Sequence, residues 1–130
     1  MKDLRTRLND YQAAWSSQDI DGILDFFADD FQFEDIPIGL AATNKEEMKE
    51  VLTVTFSGVP NFKMEIFDVV DCGKVAVTKW KQTGNMTVQG YGLDLNDFAY
   101  EVTTTSTIKF NDKGKIISLS DNWNTGVFYQ

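Results

Sequence analysis

The hydrophobic periodicity of this chain changes once, near residue 60, and that change governs what it can fold into. Before it, apolar residues recur at helical spacing. Leu4, Leu8, Tyr11 and Trp15 stand four, three and four residues apart, which predicts an amphipathic helix over 3–17. Asp19 can cap a second helix that carries Ile23, Leu24, Phe26 and Phe27 and ends near "ADD". "TNKEEMKEVLTVTF" opens on a Thr43-to-Glu46 capping box and runs through Met48, Val51, Leu52 and Phe56, a third helix. Beyond residue 60 the texture is that of strands. "NFKMEIFDVV" and "KVAVTKWKQTGNMTV" flank a "DCG" turn, and "FAYEVTTTSTIKF" and "KIISLSDNWN" flank "NDKG". "YGLDLND" reads as a loop or a second hairpin. Helices first and antiparallel strands after them is the order of an α+β fold, with the helices packed on a curved sheet. A length of 130 residues suits one domain over 1–130, and no internal repeat, linker or low-complexity segment divides it.

One early stretch breaks the helical rule. In "FQFEDIPIG", residues 31–39, Phe31, Phe33 and Asp35 alternate with Gln32 and Glu34, and the strand stops at Pro37 and Gly39. Residues i, i+2 and i+4 of a strand share a face, so the two phenylalanines share theirs with a carboxylate. The last strand repeats the pattern: Ile117, Leu119, Asp121 and Trp123 fall on one face, Ser118, Ser120, Asn122 and Asn124 on the other. In "YEVTTTSTIKF", Ser106 is a small polar residue on the face of Tyr100, Val102, Thr104, Ile108 and Phe110. Tyr11 sits on the leucine and tryptophan stripe of the first helix.

An unpaired ionised carboxylate is so costly to bury that it protonates or finds a partner. Two readings stay open. Each strand can fray at its aspartate and leave the carboxylate at a wet edge. Alternatively, the apolar faces line a pocket in which Asp35 and Asp121 converge, desolvated enough to act as general bases.

Composition removes other chemistries. Twenty acidic residues against twelve basic ones give a formal charge of −8, with no basic patch for nucleic acid or an anionic membrane. A small neutral or weakly charged ligand fits that balance. No apolar run approaches a membrane span, and "MKDLRTRLND" lacks the apolar stretch of a signal peptide. The single cysteine, Cys72, cannot form an internal disulfide, which agrees with a cytoplasmic location. There is no histidine at all. Serine–histidine and cysteine–histidine nucleophiles, histidine-bound zinc and imidazole acid–base catalysis are therefore excluded, and proton transfer falls to carboxylates, tyrosines, lysines or water.

At these positions the chain resembles the nuclear transport factor 2-like, or cystatin-like, superfamily, which includes ketosteroid isomerases and SnoaL-like polyketide cyclases. "WSSQDIDGILDFFADDFQFED" resembles the family's opening helix that ends in "(Y/F)ADD", and "GKIISLSDNWN" resembles its closing strand. The resemblance implies a cone of three N-terminal helices on a strongly curved, mostly antiparallel sheet. It places Asp35 at the isomerases' catalytic base, in "FEDIPIG", where Ile36 is inserted before the proline. It places Tyr11 at their oxyanion-hole tyrosine, Ser106 at their second oxyanion donor, and Asp121 at the cyclases' acid/base aspartate. Met86 falls near a histidine of those cyclases. A limonene epoxide hydrolase-like site would need an arginine between two pocket aspartates, and a scytalone dehydratase-like site would need histidines; neither is present.

The expectation that follows is a metal-free and cofactor-free enzyme, of isomerase or cyclase type, acting on a small hydrophobic carbonyl compound. Asp35 or Asp121 would be the base and Tyr11 and Ser106 the donors, with Trp15, Phe27, Leu52, Met86, Leu119 and Trp123 against the substrate. The alternatives are a non-catalytic binding module of the same fold and a homodimer built on the open, threonine-rich sheet face at 103–107.

Overall fold

The protein is described by a computed structural model covering residues 1–90 and 92–128. Three helices pack on one curled, unclosed, six-stranded sheet. Helix α1 (Leu4–Ser16) starts where the Asp3 carboxylate accepts the Thr6 N–H at 2.8 Å, and α2 (Ile20–Leu24) where Asp19 accepts the Gly22 N–H at 3.0 Å. Both caps satisfy orphan amides of a first turn. The second helix is shorter than its pattern suggests. Phe27 and the "ADD" after it belong to strand β1 (Phe27–Asp35), because Phe27, Phe31 and Phe33 are all buried and Phe27 pairs with Ile116.

A 3-10 turn (Ile36–Ile38) follows, closed by Gly39 at φ 69°, a conformation that a Cβ would strain. Strand β2 (Leu40–Asn44) then folds back antiparallel on β1, a strand too short to show in the sequence pattern. Helix α3 (Lys45–Gly58) begins one residue later than the expected box. Asn44 Oδ1 accepts the Glu47 N–H at 2.9 Å, and the Glu47 carboxylate accepts the Thr43 N–H and hydroxyl, each at 2.8 Å.

Four strands complete the sheet: β3 (Lys63–Asp71), β4 (Val75–Gly90), β5 (Leu93–Phe110) and β6 (Ile116–Trp123), in the order β2-β1-β6-β5-β4-β3. Among the described residues β1 and β6 run parallel and the other neighbours are antiparallel. Of "YGLDLND", Tyr91 lies outside the described residues, and 93–97 is already strand, so β4 and β5 form one long hairpin. In β6 the expected face shifts at its start. Lys109 pairs with Ser118 and Phe110 with Ile116, so Ile117 is a bulge residue that turns outward while Ile116 is buried.

Helix α1 covers the outer edge strand β3 with polar side chains. Ser16 Oγ accepts the Met64 N–H at 3.0 Å, and Gln12 Oε1 accepts the Ile66 N–H at 2.6 Å, which removes open edge amides. Gly84 on β4 admits the chain leaving α3; a Cβ there would lie 2.4 Å from Val59 Cγ1. The core fills the space between the helices and the sheet's inner face, with Ile23, Phe27, Met48, Leu52, Phe62, Ile108 and Leu119 almost fully buried. Among the described residues no helix is long and apolar enough to cross a membrane.

Candidate functional site

Strand register assembles the site. Asp35 pairs with Asp121 across β1 and β6, Asp121 with Ser106 across β6 and β5, and Ser106 with Thr78 across β5 and β4. Register partners present side chains on the same side of a sheet. A row of four polar residues therefore crosses an otherwise apolar inner face. The next row runs Trp123, Thr104, Trp80, so the two indoles flank a threonine small enough to separate them.

Each indole reaches back to the polar row. Trp123 Nε1–H donates to Asp35 Oδ1 at 2.9 Å. Trp80 Nε1–H donates to Ser106 Oγ at 2.8 Å, and Ser106 Oγ donates to Asp121 Oδ1 at 2.5 Å. Asp121 is only 7% exposed and Asp35 half-buried, so neither strand frays to water at its aspartate. Burial pushes the Asp35 carboxyl up to about 6, against the Trp123 hydrogen bond. Burial pushes Asp121 higher, to about 7; the Ser106 hydroxyl opposes that shift and the charge of Asp35 adds to it.

Both carboxyls border a cavity of about 160 Å³. Its walls come from α1 (Trp15), β1 (Phe33), α3 (Val51, Val54, Thr55), the following loop (Val59, Phe62) and β4 (Trp80, Gln82, Met86, Val88). Leu93, Trp123, Thr125 and Phe128 close the other side, and Ile38 and Leu40 flank it from the turn after β1. Among the described residues that line it there is no lysine, arginine or histidine. Ile38 and Val54 are exposed apolar residues on the same lining.

Of the residues expected at the site, Asp35, Asp121, Trp15, Met86 and Trp123 meet at this cavity. Phe27, Leu52 and Leu119 do not border it; they lie in the core at 1%, 0% and 1% exposure, taken there by the same apolar faces that made them candidates. Ser106 stands behind Asp121 rather than on the cavity wall. Tyr11 is also set back. It borders a separate small hollow with Leu8, Phe26 and Ile108, and its ring packs edge-on to Trp15 and Phe26. Its hydroxyl is pushed well above the ordinary tyrosine value, first by burial and then by the negative charge of Asp121, with the Trp15 indole opposing. Sequence reasoning missed Trp80 and Gln82. Their signal was present, since both fall on the inner-face alternation of β4, but a buried tryptophan reads first as core.

No curated protein matches the chain in sequence. Solved structures match its fold closely. A protein described as a SnoaL-like polyketide cyclase from Shewanella putrefaciens CN-32 is 14% identical, with 99% of this chain and 95% of that chain covered and a TM-score of 0.84. One so described from Jannaschia sp. CCS1 is 19% identical, covering 93% and 84%, with a TM-score of 0.79. A protein with a ketosteroid isomerase-like fold from Catenulispora acidiphila DSM 44928, solved in complex with trimethylamine, is 17% identical, covering 93% and 87%, at 0.80. At such identities these likenesses establish the fold. The family model of the SnoaL-like domain matches residues 8–119. With the nuclear transport factor 2-like architecture described above, this chain belongs to the SnoaL-like domain family.

Proposed function

We propose that this protein is a small enzyme that moves a proton α to a carbonyl in a small hydrophobic molecule, without metal or cofactor. The observation that carries this reading is the pairing of Asp35 with Asp121 on the wall of an apolar cavity, with their carboxyls pushed to about 6 and about 7. Two such groups divide naturally into a base and an acid near neutral pH. Asp35, the more acidic, is ionised and takes the proton from carbon. The C–H electron pair moves into the new C=C bond, and the carbonyl π pair moves to oxygen. Asp121, protonated, donates to that oxygen and stabilises the enol as it forms. Return of the proton to another carbon gives an isomer; attack of the enol carbon on a second carbonyl closes a ring. Tyr11 and Ser106, set back from the cavity, support Asp121 in this scheme rather than touching substrate.

The test is proton exchange in heavy water, followed by NMR over a panel of cyclic ketones and β-diketones. Exchange collapses in Asp35→Asn and in Asp121→Asn while the fold persists. A wild-type rate no faster than either variant's would remove the reading.

A second reading is favoured by one feature of the lining, two carboxylates with no cation among the described residues. It is a non-catalytic binder of a small amine, held by the carboxylates and by the faces of Trp15, Trp80 and Trp123. The trimethylamine complex of the Catenulispora acidiphila protein is consistent with it. Binding of tetramethylammonium that strengthens from pH 5 to 8, with no exchange of any ketone, would select this reading.

The assembly and location proposed for the chain are a cytoplasmic homodimer. The outer sheet face, with Thr103, Thr105 and Thr107 and the outward Ile117, is the surface proposed for it, and the exposed free Cys72 fits a reducing compartment. Sedimentation equilibrium of the wild type against Thr105→Arg tests the dimer.

A further inference from the structure

We propose that Trp80, acting through Ser106, is a positioning residue that keeps Oδ1 of Asp121 a hydrogen-bond acceptor and so assigns that carboxyl's exchangeable proton to Oδ2. The inference deepens the proposed reaction and rests on it for the role of Asp121 as the acid. It starts from donor inventory. An indole N–H can only donate, and a serine hydroxyl has a single proton. Trp80 Nε1–H occupies one lone pair of Ser106 Oγ at 2.8 Å. Among the described residues, the Ser106 hydroxyl has one acceptor, Asp121 Oδ1 at 2.5 Å. Its proton is therefore directed there, and an oxygen that receives a donor in this way is not the one that carries a carboxylic hydrogen.

Bulk solvent has little access to these positions: Trp80, Ser106 and Asp121 are 3%, 4% and 7% exposed, and Ser106 does not border the cavity. The groups facing Asp121 from the packed elements are Asp35 on β1 and Tyr11 on α1, and no lysine or arginine borders the cavity among the described residues. Among the described residues the Ser106 hydroxyl, polarised by Trp80, is the donor that favours the charged form of Asp121, against burial and the charge of Asp35. Its counterpart at Asp35 is direct, an indole bonded to Oδ1 with no serine between. The two tryptophans on either side of Thr104 serve the two carboxyls differently. Asp35 is held ready to accept a proton and Asp121 to give one from a fixed oxygen.

The experiment is a titration of the Asp121 carboxyl carbon by NMR in ligand-free protein. In Ser106→Ala its midpoint rises by about one pH unit, because a donor to the charged form is lost. In Trp80→Phe it rises by less, with Ser106 intact but no longer polarised. Ser106→Thr, which keeps the hydroxyl, restores the wild-type midpoint. In the exchange assay Ser106→Ala lowers kcat and leaves KM for the ketone unchanged, since Ser106 does not border the cavity. An Asp121 midpoint that stays put in both Ser106→Ala and Trp80→Phe overturns the proposal, as does failure of Ser106→Thr to restore it. The titration needs no turnover. A shifted midpoint in a protein that exchanges no ketone supports the relay and removes only the reaction.

Discussion

Asp35 and Asp121 are register partners across β1 and β6, the parallel pair of the sheet, and they follow directly on the buried pair Phe33 and Leu119. Their separation is thus set by strand register and not by loop conformation. Slipping either strand by one residue would turn its aspartate to the outer face and bring Glu34 or Ser120 inward. The hydrophobic pairs beneath the carboxyls are what keep the carboxyls together.

Activity that depends on an ionised Asp35 and a protonated Asp121 rises as pH climbs through about 6 and falls as it passes about 7. The kcat/KM profile for ketone exchange is expected to be a narrow bell centred between those values. A profile that keeps rising to pH 9 would rule out Asp121 as the acid.

Trp123→Phe removes the N–H that donates to Asp35 Oδ1 and opposes its upward shift. The acidic limb of the bell then moves up by about one pH unit, the basic limb stays in place, and the maximum falls. Titration of the Asp35 carboxyl carbon reads the same change without substrate.

Stability should fall as pH rises. Both carboxyls sit above their ordinary 3.8 in the folded chain, so between pH 4 and 7 the native state holds protons that the unfolded chain has released. Their contribution is whole below the unfolded value and is lost through about 6 and about 7. Urea melts at pH 5 and pH 8 should differ by roughly 4 kcal/mol in favour of pH 5, at about 1.36 kcal/mol for each pH unit over which a carboxyl holds its extra proton. Asp35→Asn and Asp121→Asn each flatten that slope; an unchanged slope in both would place the cause elsewhere.

Core and wall separate cleanly in mutation. Leu52→Ala empties a fully buried site away from the cavity and should cost about 2–5 kcal/mol, with KM unchanged in the folded protein. Met86→Ala trims a half-buried cavity wall and should raise KM while costing only about 1 kcal/mol. Equal effects of the two on KM would contradict this geometry.

Much of this was legible in the residues because period-two alternation survives wherever one face of a strand is buried. Phe31, Phe33 and Asp35, and the run from Tyr100 to Phe110, face inward as their spacing indicates. What failed to show has a physical reason in each case. Strand β2 exists because it pairs with β1, a partner that no local pattern announces. The bulge at Ile117 exchanges Ile117 for Ile116 on the inner face, and the two are the same residue type, so composition carried no trace of the exchange. Leu52 and Leu119 satisfied every criterion for a pocket wall that a sequence can supply. Whether an inward apolar side chain meets a neighbour or a void depends on packing from helices far away in the chain. Trp80 was hidden for the same reason.

The parallel pairing of β1 with β6 joins positions more than eighty residues apart, since Asp35 meets Asp121. A ribosome delivers the first of these well before the second. Until then β1 has only β2 beside it, and Asp35 lacks the neighbouring strand that helps to bury it. Because β6 lies between β1 and β5, the burial that raises both carboxyls is complete only once the sheet is closed, and under the proposed function an incompletely folded chain would be inactive.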